Sequence, residues 1–204
     1  MAVAAAGTVL AAGVGITSLA AWTDNEWVNG GFNGTAGVGT SKFEVEQNVG
    51  TGTTWTNDAA SPGGVVDFSA LAQKLTPGDV VYGFVRLRAQ TNSVAGTESL
   101  VTDTATLTGL AQYLKYGAVV LDPTDTTTCN ATTFTRGTAT VLTPAGSALT
   151  SSGSQTFVMA AGTSTLPGAE QVICFQIAMN ASGVPDTAMG QTFDPIWHFS
   201  ATSN

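Results

Sequence analysis

Positions 81–89 alternate strictly, and a helix cannot use that pattern. Val81, Gly83, Val85, Leu87 and Ala89 fall on one side of an extended chain, with Arg86 and Arg88 on the other. On a helix the same residues would scatter around the cylinder. Just before them, Thr76-Pro77-Gly78-Asp79 predicts a type II turn, because Pro presets φ at its second position and Gly accepts positive φ at its third. The alternation returns at 113–121, where Leu114, Tyr116, Ala118 and Val120 share a face. It returns again at 170–179, with Ile173, Phe175, Ile177 and Met179 together. Shorter versions occur at Phe43-Glu44-Val45-Glu46 and at Ile196-Trp197-His198-Phe199-Ser200-Ala201. In the latter Trp197, Phe199 and Ala201 lie on one face, which predicts a last strand central to the core. Positions 65–75 read as a further apolar strand, 100–107 as a Thr-rich one, and 57–64 as a loop.

Little remains from which to build helices. Charged residues are only 10% of the chain and hydrophobic ones 43%, whereas an ordinary domain is roughly a quarter charged. The polar remainder is mostly Thr, Ser, Gly and Asn, which suit strands and turns. The expectation is an all-β fold, an antiparallel two-sheet β-sandwich of jelly-roll type. A chain of 204 residues can hold one such domain with a real core. The stretch 122–169, crowded with Thr, Ser, Gly and Pro, reads as a loop-rich insertion with short edge strands.

The first twenty positions have a different character. They carry no charge, have an apolar core from Val9 to Leu19, and end with small residues at Ser18 and Ala20. This is the pattern a signal peptidase reads, so cleavage is expected after Ala20 or after Ala21, although the usual basic start is missing. A retained anchor is the alternative, since about 20 apolar residues just span a bilayer, but the Gly and Ala content argues against it. The organisation is then 1–20 export segment, 21–40 N-terminal extension and 41–204 domain, with no stable membrane anchor after cleavage and an extracellular destination.

Charge and residue supply narrow the chemistry. A net charge of −8 with six Lys and Arg leaves no clustered basic surface for nucleic acid. Cys129 and Cys174 fit one disulfide in an oxidising compartment, with two buried thiols as the alternative. The single His198 lies opposite the Trp197/Phe199 face, and neither His-Glu-x-x-His nor Gly-x-Ser-x-Gly is present. No catalytic residue, metal or cofactor is therefore assigned, and an enzyme is not expected. Asp122 and Asp125 suit either calcium or a simple turn. Asn33, Asn130 and Asn180 open glycosylation triplets without further support. Trp22, Trp27 and Trp55 sit in loop-like contexts where indoles could stack on sugars, which keeps open a monomeric adhesin or carbohydrate-binding module.

Four elements, in this order, resemble the TasA–camelysin family of biofilm-fibre and cell-surface proteins. Ala20-Ala21-Trp22-Thr23-Asp24 is similar to the family's mature start, and Asn29-Gly30-Gly31-Phe32 to its Asn-x-Phe element with one extra residue. Leu75-Thr76-Pro77-Gly78-Asp79, the alternating strand and Thr91-Asn92-Ser93 resemble its Leu-x-Pro-Gly-Asp, strand and Asn-rich turn. Trp197-His198-Phe199-Ser200-Ala201 resembles its closing Trp-x-Phe-x-Ala strand. The fit is to actinobacterial members with an alternative signal peptide; the Cys pair and the Thr-rich stretch after Asp122 depart from the better-known fibre proteins. The resemblance implies a jelly-roll subunit of an extracellular fibre, released by a dedicated signal peptidase. Its mature N-terminus would be donated as a strand to the next copy in a head-to-tail homopolymer, with Trp22, Trp27 and Phe32 as anchors. Camelysin-like members are classed as metalloproteases, but this chain lacks the ligands for that chemistry.

Overall fold

The computed structural model describes residues 40–121 and 129–203, together with the backbone of residues 31–32 and 35–36. The chain forms two units, Met1–Gly39 and Thr40–Asn204. In the first, β1 (Gly31–Phe32) pairs antiparallel with β2 (Thr35–Ala36). The second holds β3 (Val45–Asn48), β4 (Val80–Ala89), β5 (Gly96–Thr102), β6 (Leu114–Val120), β7 (Thr140–Ala148), β8 (Thr156–Met159), β9 (Gln171–Met179) and β10 (Trp197–Ser203). They form a five-stranded sheet in the order β3-β4-β9-β6-β7 and a three-stranded sheet in the order β10-β5-β8, all paired antiparallel. The all-β, two-sheet expectation holds.

Alternation places the core. Val81, Val85 and Leu87 of β4, Ile173, Phe175 and Ile177 of β9, and Tyr116 and Ala118 of β6 turn inward to meet Leu100, Phe157 and Met159 of the smaller sheet. Burying each large apolar side chain contributes about 1.5–3 kcal/mol. The five-stranded sheet is also covered on its outer face. Val119, Leu121 and Cys174 are buried there beneath Phe84, Phe134 and Cys129. Cys129 and Cys174 are joined, with their Cα atoms 5.6 Å apart. Asn130 caps the 3-10 turn over Ala131–Phe134, its side chain accepting a hydrogen bond from the Thr132 N–H at 2.9 Å.

The turns follow their chemistry. Gly78 has φ +94°, and the Asp79 N–H donates to the Thr76 carbonyl at 2.9 Å, closing the turn that feeds β4. After β4, Asn92 takes φ 62° in the turn toward β5.

Three expectations need correction. Positions 65–75 form no strand but an irregular segment with a 3-10 turn at Ala70–Gln73, from which Phe68, Leu71, Ala72 and Leu75 pack on the core. Their spacing of three and four is a helical period, not a strand's. The short strand expected at 43–46 lies at Val45–Asn48. Among the described residues β10 is not central: it pairs with β5 alone and forms the edge of the smaller sheet. Alternation tells which side of a strand is buried, and says nothing of how many neighbours it has. The stretch 122–169 supplies β7 and β8, one edge strand to each sheet.

Candidate docking groove at the open sheet edge

Pairing of β10 with β5 runs from Trp197↔Thr102 to Ser203↔Gly96. On its other side β10 meets no strand among the described residues. Among the described residues the N–H and C=O groups on that side have no ladder partner, and such a row is what an added strand pairs with. That edge opens on a groove of about 2360 Å³. Its floor is core: Val85 and Leu87 from β4, Phe175 and Ile177 from β9, Trp197 and Phe199 from β10. The irregular segment after β3 forms one rim, and the chain between β9 and β10 the other.

Aromatic packing fixes the β10 side of this groove. Trp197 lies 4.9 Å from Phe175 and 5.4 Å from Tyr116, centroid to centroid, and Phe199 stands edge-on to Phe157 at 6.1 Å. Both remain half-buried, although they belong to the inward face. On the same face, Phe199 is opposite Leu100 and Ala201 is opposite Glu98. Ala201 is exposed, so the wall is thinnest at that level.

Glu98 is the polar exception in this wall. It is 1% exposed, and neither carboxylate oxygen has a hydrogen-bond partner. Burial pushes its carboxyl up to about 7. Hydrophobic periodicity starts this strand at Leu100 and so misses Glu98, although the strand begins at Gly96. The signal was nevertheless present: Glu98 is two residues before Leu100, and so in phase with an inward side chain.

The other residues singled out from sequence fall elsewhere. His198 is exposed on the far face of β10, its Nδ1 3.1 Å from the Asp103 carboxylate. Trp55 carries the Arg88 guanidinium over its ring at 3.8 Å, and Arg88 also pairs with Glu46 at 2.5 Å. One face of that indole is thus already covered by a cation. Ala20, Ala21, Trp22, Trp27, Asn33, Asp122 and Asp125 lie outside the described residues, as does the Phe32 side chain. Among the described residues no three His, Cys, Asp or Glu side chains group as a metal site would require. Nor is any helix among them long and apolar enough to cross a membrane. Compared with protein-family models, with curated proteins and with solved structures, the chain gives no match.

Proposed function

We propose that the chain is an extracellular structural subunit of a surface or matrix fibre, each copy completed by a strand from the mature N-terminus of its neighbour. The observation that carries this reading is the edge of β10, which no strand among the described residues pairs, beside a groove floored with core side chains. A strand added there gains a ladder of hydrogen bonds and covers Trp197 and Phe199. The strand order supports it as well. The sheets β4-β9-β6-β7 and β10-β5-β8 follow one another along the chain as seven strands of an eight-stranded jelly roll would, lacking the one beside β10. β3 does not fill that place; it extends the opposite sheet beside β4.

The donor is the segment 21–34. The domain's first residues run past the far end of β10's partner: Lys42 bridges Ser93, and Phe43 packs over Gly96, which is paired with Ser203. The preceding segment starts from there, long enough to cover β10 of a second copy and leave a tether. The contact is head-to-tail and does not close on itself, so it propagates into a filament. The Cys129–Cys174 bond suits an oxidising, extracellular setting. The covered face of Trp55 gives the sugar-binding alternative no added support.

Deleting residues 21–34 is expected to leave a folded β-sandwich that stays monomeric by sedimentation and forms no fibres in negative-stain images. Trp27→Ala is expected to weaken polymerisation without lowering the thermal midpoint of the domain. Fibres of normal length from the truncated chain, or none from the chain beginning at Ala21 even at high concentration, would overturn the reading.

A further inference from the structure

Acids and amides line the rims of the groove, but on its β5 side one of them is buried, and that one constrains what can enter. Glu98 presents two buried, unpartnered acceptor oxygens in the middle of the inward face of β5. Its direct cross-strand partner, on the side of β10's outer edge, is the short Ala201. A strand bound to β10 places one inward side chain opposite Ala201, and Glu98 lies one strand further. That separation is two strand spacings, about 9.6 Å. A donor reaching Glu98 must therefore be carried on a long side chain that can pass over the alanine. A buried carboxylate also rejects like charge and leaves its partner no solvent to fall back on.

The proposed donor segment answers those demands on one face only. Before Lys42 the chain has no Lys, Arg or His, so no basic side chain is on offer. Extended, residues 21–34 present two faces. One carries Trp22 and Phe32 but also Asp24 and Glu26; the other carries Thr23, Asn25, Trp27 and Asn29, with no acid. The first would set a second carboxylate against Glu98. The second brings Trp27, whose indole is large enough to fill the space above Ala201 and holds its only polar group, a donor, at the ring's rim. Asn25 and Asn29 are too short to bridge both strands.

We propose that Glu98 sets the face and register of the inserted strand by accepting a hydrogen bond from the indole N–H of the neighbouring copy's Trp27, seated opposite Ala201. This rests on the fibre reading above and adds to it the residue that recognises the donor. Trp27 thereby becomes the buried anchor, and Asp24 and Glu26 face outward. Slipping the strand by one residue would turn the acidic face inward.

A double-mutant cycle on the full mature chain tests this, read as the critical concentration for fibre formation by sedimentation. Trp27→Phe keeps the aromatic filling and removes the donor. It is expected to raise the critical concentration about tenfold, as loss of one buried hydrogen bond would. In a Glu98→Leu background the same change is expected to have less than a twofold effect, because the acceptor is gone. Glu98→Leu removes an unpaired buried carboxylate, so its thermal midpoint should not fall; an unfolded variant is replaced by Glu98→Met in the same cycle. Equal effects of Trp27→Phe in both backgrounds overturn the anchor and leave the fibre reading standing. A mature chain that forms no fibres overturns both.

Discussion

Glu98 makes the stability of the subunit depend on pH in a direction opposite to that of most carboxylates. Burial lifts its carboxyl from the ordinary 4.5 to about 7. Between those values the folded state holds a proton that the unfolded chain has lost. Stability is therefore full below about pH 4.5, falls as pH rises toward 7 and stays level above it. The difference amounts to about 3 kcal/mol. Glu98→Gln is expected to match the wild type near pH 4 in urea unfolding and to be more stable by about that amount at pH 8. A flat difference between the two across this range would show that the carboxylate is solvated. Glu98 was legible only by phase. Leu100 announces an inward face, yet Gly96 and Thr97 give the strand's beginning no apolar signal, so a reading from hydrophobic periodicity starts too late. His198 was legible for the same reason inverted: between Trp197 and Phe199 it can only point away from them.

Strands that are buried on at least one face along their whole length declared themselves: β4, β6 and β9 lie where alternation put them. Elements held mainly by their surroundings did not. The segment 65–75 has apolar residues enough for a strand, but Phe68, Leu71, Ala72 and Leu75 serve as a lid on the core without a ladder to join. The outer layer on the five-stranded sheet is of this second kind, since Phe134 and Cys129 cover Cys174 from a turn rather than a strand. The disulfide holds that layer down, closing a loop with a sequence separation of 45. Replacing both cysteines with alanine is expected to cost about 4 kcal/mol in denaturant unfolding, and the non-reduced wild type should gain no mass on alkylation. Where β5 begins, Gly96 lets Phe43 and β10 approach together. A Cβ there would collide with the Phe43 ring and lie 2.7 Å from the Thr202 carbonyl oxygen. Gly96→Ala is expected to destabilise the domain by about 1–3 kcal/mol, measured as a lowered denaturation midpoint, because ring and strand end must both give way.

At the scale of the whole molecule, the sheet count and the antiparallel class could be read from sequence, while the open edge could not, because pairing is a relation between distant segments. The same relation governs how the domain comes into being. β9, near the end of the chain, sits in the middle of the larger sheet between β4 and β6, and β10, the last strand, joins β5. Ser99 and Ser200, opposite each other in that pairing, are 101 residues apart in the chain. Neither sheet can be assembled from the first half alone. Long loops are closed before any central pair is gained, which sets folding on the millisecond-to-second scale typical of such topologies. The two sheets therefore close only when β9 and β10 reach partners laid down far earlier in the chain, and the groove beside β10 exists only once that strand has joined β5.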